Sequence, residues 1–366
     1  MLRRAPSGAG TAVLRVVGVR LLGVLTLAAA AAGVDRTAHG RLVRWDAQWY
    51  AGIARSGYGH TVLHPDGRLL SDYAFFPLYP VLERASSALT GLAYVDAGLV
   101  VSWEATAVAA WGIYAVGARV AGERAGVVLA VLWAALPIGI VTSMAYSEAL
   151  FTALAAWAVH ATLSRRWLLA GVLAAAAGLT RPVGVAVVAA VVVTAAVQSF
   201  RDRDLRPLPG LVLAPLGWVG YVAWVGQRTG DPLGYFRVAD GWGNGFDGGR
   251  AFTVWTWHHL GDGRWPLGVL LVAAVVVLVG LLVLAVRDRQ PLPLLVLAGV
   301  VLALALTTSG YFGSKPRYLL PAFPLLLPVA VRLSRLGTRP TVAFLGVLTA
   351  GSAAYGALWL LGPGPP

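Results

Sequence analysis

Apolar runs long enough, or nearly long enough, to cross the roughly 30 Å hydrocarbon layer of a bilayer recur along the whole chain. They lie near 14–34, 95–118, 125–142, 146–163, 167–180, 183–198, 208–227, 265–286, 291–308, 318–332 and 341–361. The pattern predicts about eleven transmembrane helices, several of them short or broken by Pro and Gly. Polar positions gather in the short connections and in two long ones, 35–94 and 228–264. Within the first, FFPLYPVLERASSAL, Phe75 to Leu89, reads as a re-entrant or interfacial helix. RWDAQWYAGIARSGY, Arg44 to Tyr58, reads as a second one: Trp45, Trp49 and Ile53 recur every four residues as an apolar stripe, with Asp46 and Tyr50 on the adjacent face. Such a helix lies in the interface and presents its acid sideways.

Composition agrees with an all-α integral membrane protein. Of 366 residues, 58% are hydrophobic and 12% charged, and the mean hydropathy is +0.72, far too apolar for a soluble domain of this length. With no internal repeat and no soluble-sized insertion, residues 1–366 read as one polytopic membrane domain. Cysteine is absent, which excludes disulfides, thiolate nucleophiles and thiolate metal sites. The first span follows Arg3 and Arg4 and closes on an alanine run that imitates a signal-peptidase site. Arg15 and Arg20 shorten its uncharged core and the Asp46 motif follows at once, so it reads as an uncleaved anchor.

The net charge is +13, and the 29 basic residues are all arginine except Lys315. With the N-terminus in the cytoplasm, the tight clusters Arg119 and Arg124, Arg165 and Arg166, Arg201, Arg203 and Arg206, Arg287 and Arg289, and Arg332, Arg335 and Arg339 all fall inside. Membrane topology and anionic headgroups account for the basic balance, and no nucleic-acid partner is needed. The opposite side receives 35–94 as the first extracytoplasmic loop, the turn at Ser143 to Ser147, the Arg181-Pro182 turn, 228–264 as the second long extracytoplasmic loop, and the turn from Ser309 to Tyr318. Nearly all the unusual polar residues are there.

The inner loops are too short for a nucleotide-sugar site, whereas a lipid-phosphate donor reached in the membrane plane fits. Transfer of a sugar from a polyprenyl phosphate needs a base for the acceptor hydroxyl and cations for the departing phosphate. Asp46 suits the first role; Arg181, Lys315 and Arg317 suit the second, the last two flanking Pro316 in a basic turn that violates the inside bias. Each has a structural alternative. Asp46 can cap its helix or pair with Arg44, and the tryptophans beside it can be ordinary belt residues. Glu148 opens a span, so it either complements a helix dipole or positions an acceptor or a loop. Arg181 either terminates a helix or lines a cavity at the break before Pro182. Glu104, deep in a span, marks a polar interior contact.

His60, His64, Asp66 and Asp72 share the first long loop, and His258 and His259 the second. They offer ligands for a divalent ion, yet no zinc-type spacing such as HExxH appears, so no metal site is assigned and no cofactor is required. GWGNGFDGG, Gly241 to Gly249, lacks the strand and helix that flank a phosphate loop and reads as a flexible sugar- or lipid-facing loop.

Taken together and in order, RWDAQWYAGIARSGY, AFFPLYP at Ala74 to Pro80, SMAYSEALF at Ser143 to Phe151, GLTRPVG at Gly178 to Gly184 and KPRYLLPAFPL at Lys315 to Leu325 resemble the PIG-V-like mannosyltransferases, multi-span members of the GT-C glycosyltransferase class. The resemblance implies an inverting transferase that takes mannose from a polyprenyl phosphate on the non-cytoplasmic side. It also implies that Asp46 is the acidic catalytic residue of the first outer loop, with Glu148 and Arg181 in the second and third motifs. Eukaryotic members act on glycosylphosphatidylinositol precursors; this compact, arginine-rich chain looks bacterial, so a cell-envelope glycolipid, polysaccharide or secreted protein is the expected acceptor. Arg44, Trp45, Trp49 and Tyr50 are expected to position substrate beside Asp46. Two rivals make different expectations: a lipid or solute transporter depends on Glu104 above Asp46, and a noncatalytic scaffold tolerates Asp46→Asn.

Overall fold

The computed structural model describes residues 7–366, so Arg3 and Arg4 lie outside the described residues. A long helix α1 (Ser7–Ala32) leads into two short helices, α2 (Ala38–Leu42) and α3 (Asp46–Ser56). An antiparallel hairpin of β1 (Thr61–Leu63) and β2 (Leu69–Ser71) follows, pairing Val62 with Leu70. Next come α4 (Leu78–Thr90), α5 (Tyr94–Ala121), α6 (Glu123–Ala134), α7 (Glu148–Leu163), α8 (Trp167–Gly178) and α9 (Val185–Asp202). The chain continues through α10 (Leu208–Leu213), α11 (Leu216–Thr229), α12 (Gly234–Gly241), α13 (Arg250–Gly261), α14 (Trp265–Arg287) and α15 (Leu292–Thr307). It closes with α16 (Lys315–Tyr318), α17 (Leu327–Arg335) and α18 (Thr338–Leu361).

Every one of the apolar runs holds helix, but fewer than eleven are spans by length. Among the described residues six helices are long and apolar enough to cross a membrane, or up to eight if each of two bent pairs counts as one span. The pairs are α6 with the 3-10 segment Pro137–Ser143, bent by 85°, and Phe312–Tyr318 with Leu320–Arg335, bent by 58°. Three further apolar helices, α7, α8 and α15, are shorter. The expected interfacial helices of the first long loop are present as α3 and α4, and α4 buries one face through Tyr79, Pro80 and Glu83.

Small residues let the helices approach closely where lipid offers no hydrophobic drive between them. A Cβ added to Gly117 of α5 would come within 2.7 Å of the Gly126 Cα of α6, and one on Gly112 would meet Ala156 and Trp157 of α7 at 3.0 Å. α14 is the opposite case: none of its Val and Leu side chains is buried and most are exposed, as a lipid-facing helix requires. The arginine loops meet one another at one end of the bundle. Arg119 donates to the Leu163 carbonyl at 3.0 Å, Arg124 to that of Leu336 at 2.6 Å, and Arg332 pairs with Asp288 at 3.0 Å.

Two charged residues inside predicted spans behave differently. Arg20 of α1 is buried and donates to the Ala134 carbonyl, where the break before Pro137 leaves the last carbonyls of α6 without helical partners. Glu104, expected as an interior contact, instead stands on the exposed face of α5, because the helical period turns Ala105, Thr106 and Ala109 toward the core. A conduction path through Glu104 therefore has no structural counterpart.

Glu83 is the acid that the sequence reading passed over. It is fully buried between α4 and α5, and neither carboxyl oxygen has a hydrogen-bond partner. A Cβ added to Gly98 would lie 2.7 Å from its Oε1, while the neighbouring Tyr79 hydroxyl donates to the Gly98 carbonyl at 2.8 Å. Burial pushes the carboxyl up from the ordinary 4.5 to about 9, so the folded protein keeps it protonated at neutral pH. The unfolded chain releases that proton and the folded one retains it, so stability falls as pH rises from about 5 to 9, by up to about 1.4 kcal/mol per unit. Glu83→Gln removes the titration while keeping the shape. Thermal unfolding in lipid nanodiscs across this range should show the variant more stable than wild type at pH 8, nearly equal at pH 5, and with a flatter pH profile; parallel profiles would contradict a neutral Glu83.

Candidate active site

α3 begins at the candidate base itself. Trp45, the residue before it, has φ 55°, a left-handed conformation that costs a non-glycine residue about 1–3 kcal/mol. The Arg44 guanidinium lies 4.0 Å from the Trp45 ring centroid and helps to hold that turn. Asp46 does not pair with Arg44, nor does any side chain cap α3. Its amide donates to the Tyr146 hydroxyl at 3.3 Å, and its Oδ2 accepts from Arg317 Nη1 at 2.6 Å.

From that pair a run of alternating charge extends inward. Arg317 Nη1 also stands 3.3 Å from Glu148 Oε1, and Arg181 Nη1 is 2.6 Å from the same oxygen. Arg181 Nη1 donates to Ser147 Oγ at 3.2 Å, and Ser147 Oγ lies 2.7 Å from the Tyr50 hydroxyl. Glu148 is 2% exposed, Arg317 7%, Arg181 11% and Asp46 19%, so the acid nearest α3 is the one open to a reactant. The arginine N–H groups are close to Glu148 without being aligned on its oxygens, so that carboxylate is charge-matched but not hydrogen-bonded. Arg317 Nε is likewise buried without a partner, a free donor for an anionic oxygen. The Tyr318 ring flanks both guanidinium groups, at 5.9 Å from Arg181 and 5.5 Å from Arg317.

Lys315 is the expected cation that stands apart. Its Nζ donates to the carbonyls of Ala305 at 3.1 Å and Thr308 at 2.5 Å, capping the C-terminal end of α15, and forms no ion pair with the four charges above. It also lies 5.6 Å from the Phe312 ring. The side chain thereby anchors the turn that carries Arg317.

An aromatic wall backs the site. Trp49 stacks on Phe75 with centroids 5.6 Å apart and meets the edge of Trp242 at 5.0 Å; Tyr50 meets Phe75 at 5.1 Å and Tyr79 at 4.7 Å. Burial pushes the Tyr50 phenol well above its ordinary value, so it remains a neutral hydroxyl. The glycine-rich stretch from Gly241 to Gly249, expected to be flexible, is tied down instead. Trp242 Nε1 donates to the Ser71 carbonyl at 2.9 Å, Ser309 donates to the carbonyls of Gly243 at 2.8 Å and Gly245 at 2.9 Å, and Asp247 accepts the amides of Gly249 and Ala251, both at 2.8 Å.

Several of the histidines and acids of the long loops are spent elsewhere. Asp72 accepts the backbone amides of Gly59 and His60, Asp66 pairs with His64 and Arg68 at the hairpin tip, and His259 stacks on Trp255 at 3.8 Å. Among the described residues no group of three or more such side chains is gathered to hold a metal ion. Beside the charged cluster lies an apolar cavity of about 190 Å³, lined by Pro137, Leu278, Leu281, Pro316, Leu319 and Tyr355. Pro316, which lines it, immediately precedes Arg317 in the chain.

The structure brings Asp46, Tyr50, Glu148, Arg181 and Arg317 together, sets Arg44, Trp45 and Trp49 around them, and leaves Lys315 behind the turn. Tyr146, Ser147 and Tyr318, which hold the cluster in register, carried no assignment from sequence. Their signal was adjacency alone: two precede Glu148 in SMAYSEALF and one follows Arg317.

No protein-family model matches the chain, and no curated protein does. Two solved structures share its fold, both of ArnT from Cupriavidus metallidurans. The one bound to undecaprenyl phosphate has a TM-score of 0.57 and 16% identity, over 93% of this chain and 64% of that one. The apo state has a TM-score of 0.54 and 16% identity, over 92% and 62%. This chain thus spans a little under two thirds of ArnT's length, and what the two share is the multi-span, all-α GT-C-like architecture expected from the sequence.

Proposed function

We propose that this chain is a membrane glycosyltransferase that moves a mannosyl group from a polyprenyl-phosphate donor to an extracytoplasmic acceptor with inversion, in the manner of the PIG-V-like enzymes. One observation carries the reading: a partly exposed acid is paired to a buried arginine that has a spare donor and follows a residue lining an apolar cavity. The shared fold with a protein captured on undecaprenyl phosphate supports it. The arginine loops at the opposite end support an extracytoplasmic site, and no cofactor is required.

At rest Arg317 neutralises Asp46. A donor phosphate entering beside Pro316, with its isoprenoid tail in the apolar cavity, takes the guanidinium groups of Arg317 and Arg181 as partners and loosens Asp46. Asp46 then accepts the proton of an acceptor hydroxyl as that oxygen attacks the anomeric carbon. The bond between that carbon and the phosphate oxygen breaks on the opposite face, and the lipid phosphate leaves with the electron pair, held by the two arginines. A single displacement inverts the anomeric centre. Glu148 keeps both arginines in place, Lys315 fixes the turn behind Arg317, and Trp45, Trp49 and Tyr50 shape the sugar pocket. The acceptor is a glycolipid, a polysaccharide or a protein of the cell envelope.

The test is transfer from radiolabelled polyprenyl-phosphate mannose to a membrane-lipid extract by the purified protein in nanodiscs. Asp46→Asn should lower kcat by roughly 10²–10⁴-fold with little change in donor KM; equal transfer by that variant removes Asp46 as the base. Arg317→Lys keeps the charge but loses the planar fork, and its donor KM should rise about tenfold while Arg317→Ala rises further. Glu148→Gln leaves two buried guanidinium groups short of charge and should cost roughly 3–5 kcal/mol of stability by chemical denaturation; a variant as stable as wild type would exclude a structural role for Glu148.

A further inference from the structure

Beside α3 lies a second cavity of about 350 Å³, lined by Gln48, Trp49, Gly52, Ser56, His60 and Asp72. Small-molecule sites run from about 300 to 1,000 Å³, so this is room for one or two sugar rings. Its walls carry hydrogen-bonding groups that the fold does not use. Gln48 donates Nε2 to the Val43 carbonyl at 2.6 Å and keeps its amide oxygen free. The Ser56 hydroxyl and the His60 ring nitrogens have no hydrogen-bond partner among the described residues; the His60 ring meets only the Trp49 ring, at 5.8 Å. Asp72 fixes His60 in place by accepting its backbone amide at 2.9 Å. The indole of Trp49, backed by Phe75, supplies the apolar platform.

Gly52 leaves one wall of the cavity without a side chain. Glycine inside a helix costs about 1 kcal/mol relative to alanine, and here no packing demands it: a Cβ at Gly52 would meet nothing within 4 Å. What glycine does at that position is leave the floor of the groove bare. Gly52 lies six residues beyond Asp46 on the same helix, roughly 9 Å along its axis at 1.5 Å per residue and on a face turned about 120° from it, so the groove runs along the side of the helix whose first residue carries the carboxylate.

We infer that the groove formed by Gln48, Trp49, Gly52, Ser56 and His60 binds a pyranose ring of the acceptor, making that acceptor a glycan-bearing molecule. The name acceptor rests on the transferase reading above; the binding of a ring does not. Trp49 takes the apolar face of the ring, and Gln48, Ser56 and His60 take its hydroxyls.

Saturation-transfer NMR on the full chain in nanodiscs tests this with methyl α-mannopyranoside, methyl α-glucopyranoside and methyl β-galactopyranoside as probes, and native mass spectrometry of undecaprenyl phosphate on the same samples reads the donor site. Gly52→Leu, a helix-favouring change that fills the groove, should weaken the best glycoside at least about tenfold while lipid-phosphate binding stays unchanged. No saturation of any glycoside by wild type, or equal saturation by Gly52→Leu, overturns the inference. If Gly52→Leu also loses the lipid phosphate, His60→Ala decides: weaker glycoside binding with normal lipid binding supports the groove, and unchanged glycoside binding overturns it. Gly52-dependent glycoside binding by a protein that never takes the lipid phosphate keeps the groove and removes the donor reading instead.

Discussion

Four charges in alternation, Asp46, Arg317, Glu148 and Arg181, set the constraint that the rest of the molecule obeys. Ions taken from water cost several kcal/mol each unless opposite charge is close, so a buried acid or arginine here is tolerable only with its neighbours in place. The four come from the start of α3, the start of α7, the break before α9 and the turn of α16, segments as far as 271 residues apart in the chain. Satisfying them fixes how those helix ends meet. The carboxylate at the end of the run has a neutralising neighbour on one side only, which is why it is also the most accessible.

A second constraint comes from the breaks that bring those segments together. Each interruption of a helix frees carbonyl groups that lipid cannot satisfy. Arg20 reaches the carbonyl of Ala134 and Ser352 that of Leu136 at 2.7 Å, both at the bend before Pro137. The Thr106 hydroxyl donates to the Thr142 carbonyl at 3.0 Å, and Trp133 Nε1 to that of Leu320 at 3.1 Å in the second bent pair. Lys315 does so for α15. Side chains from other helices thus hold each bend, and the bends in turn leave the apolar cavity beside Arg317 between Pro137, Leu278 and Pro316. The three cations expected to hold a phosphate divide by this criterion: Lys315 faces carbonyls and braces a helix end, whereas Arg181 and Arg317 face carboxylates and build the site.

That division explains what was legible in the sequence. Hydrophobic runs located the apolar helices because burial in lipid or protein is a local property of composition, and missed α2, α12 and α13, which lie in the long polar connections. They do not fix the number of spans, because α7, α8 and α15 are apolar yet short, and length alone cannot separate a buried helix from a crossing one. Asp46, Glu148, Arg181 and Arg317 stood out as polar residues flanking apolar runs, whereas their pairing depends on tertiary distances that no periodicity encodes. Lys315 shares the turn with Arg317, and sequence offered nothing to tell their directions apart. Glu104 was misread because a carboxylate within a span was assumed to face inward, while the helical phase of Ala105 and Ala109 put it outside. Tyr146 and Ser147 escaped notice as small polar partners of louder neighbours, and Gly241 to Gly249 resembled a loose loop because its ties run to Ser71 and Ser309, remote in sequence.

The resting pair between Asp46 and Arg317 bears on the order of events in the proposed reaction. The Asp46 carboxylate stands 2.6 Å from the Arg317 guanidinium, so it must part from that partner before an acceptor hydroxyl can take its place. A phosphate competes for the same guanidinium and offers it two negative oxygens in bidentate geometry. Donor arrival therefore does two things at once in this reading: it supplies the leaving group and it frees the carboxylate that activates the acceptor. With the donor absent, a water or stray hydroxyl beside Asp46 meets a neutralised carboxylate, so the ion pair itself guards against activation of the wrong nucleophile. A protein whose base were free at rest would need a moving lid for the same protection; here an exchange of partners at one arginine suffices.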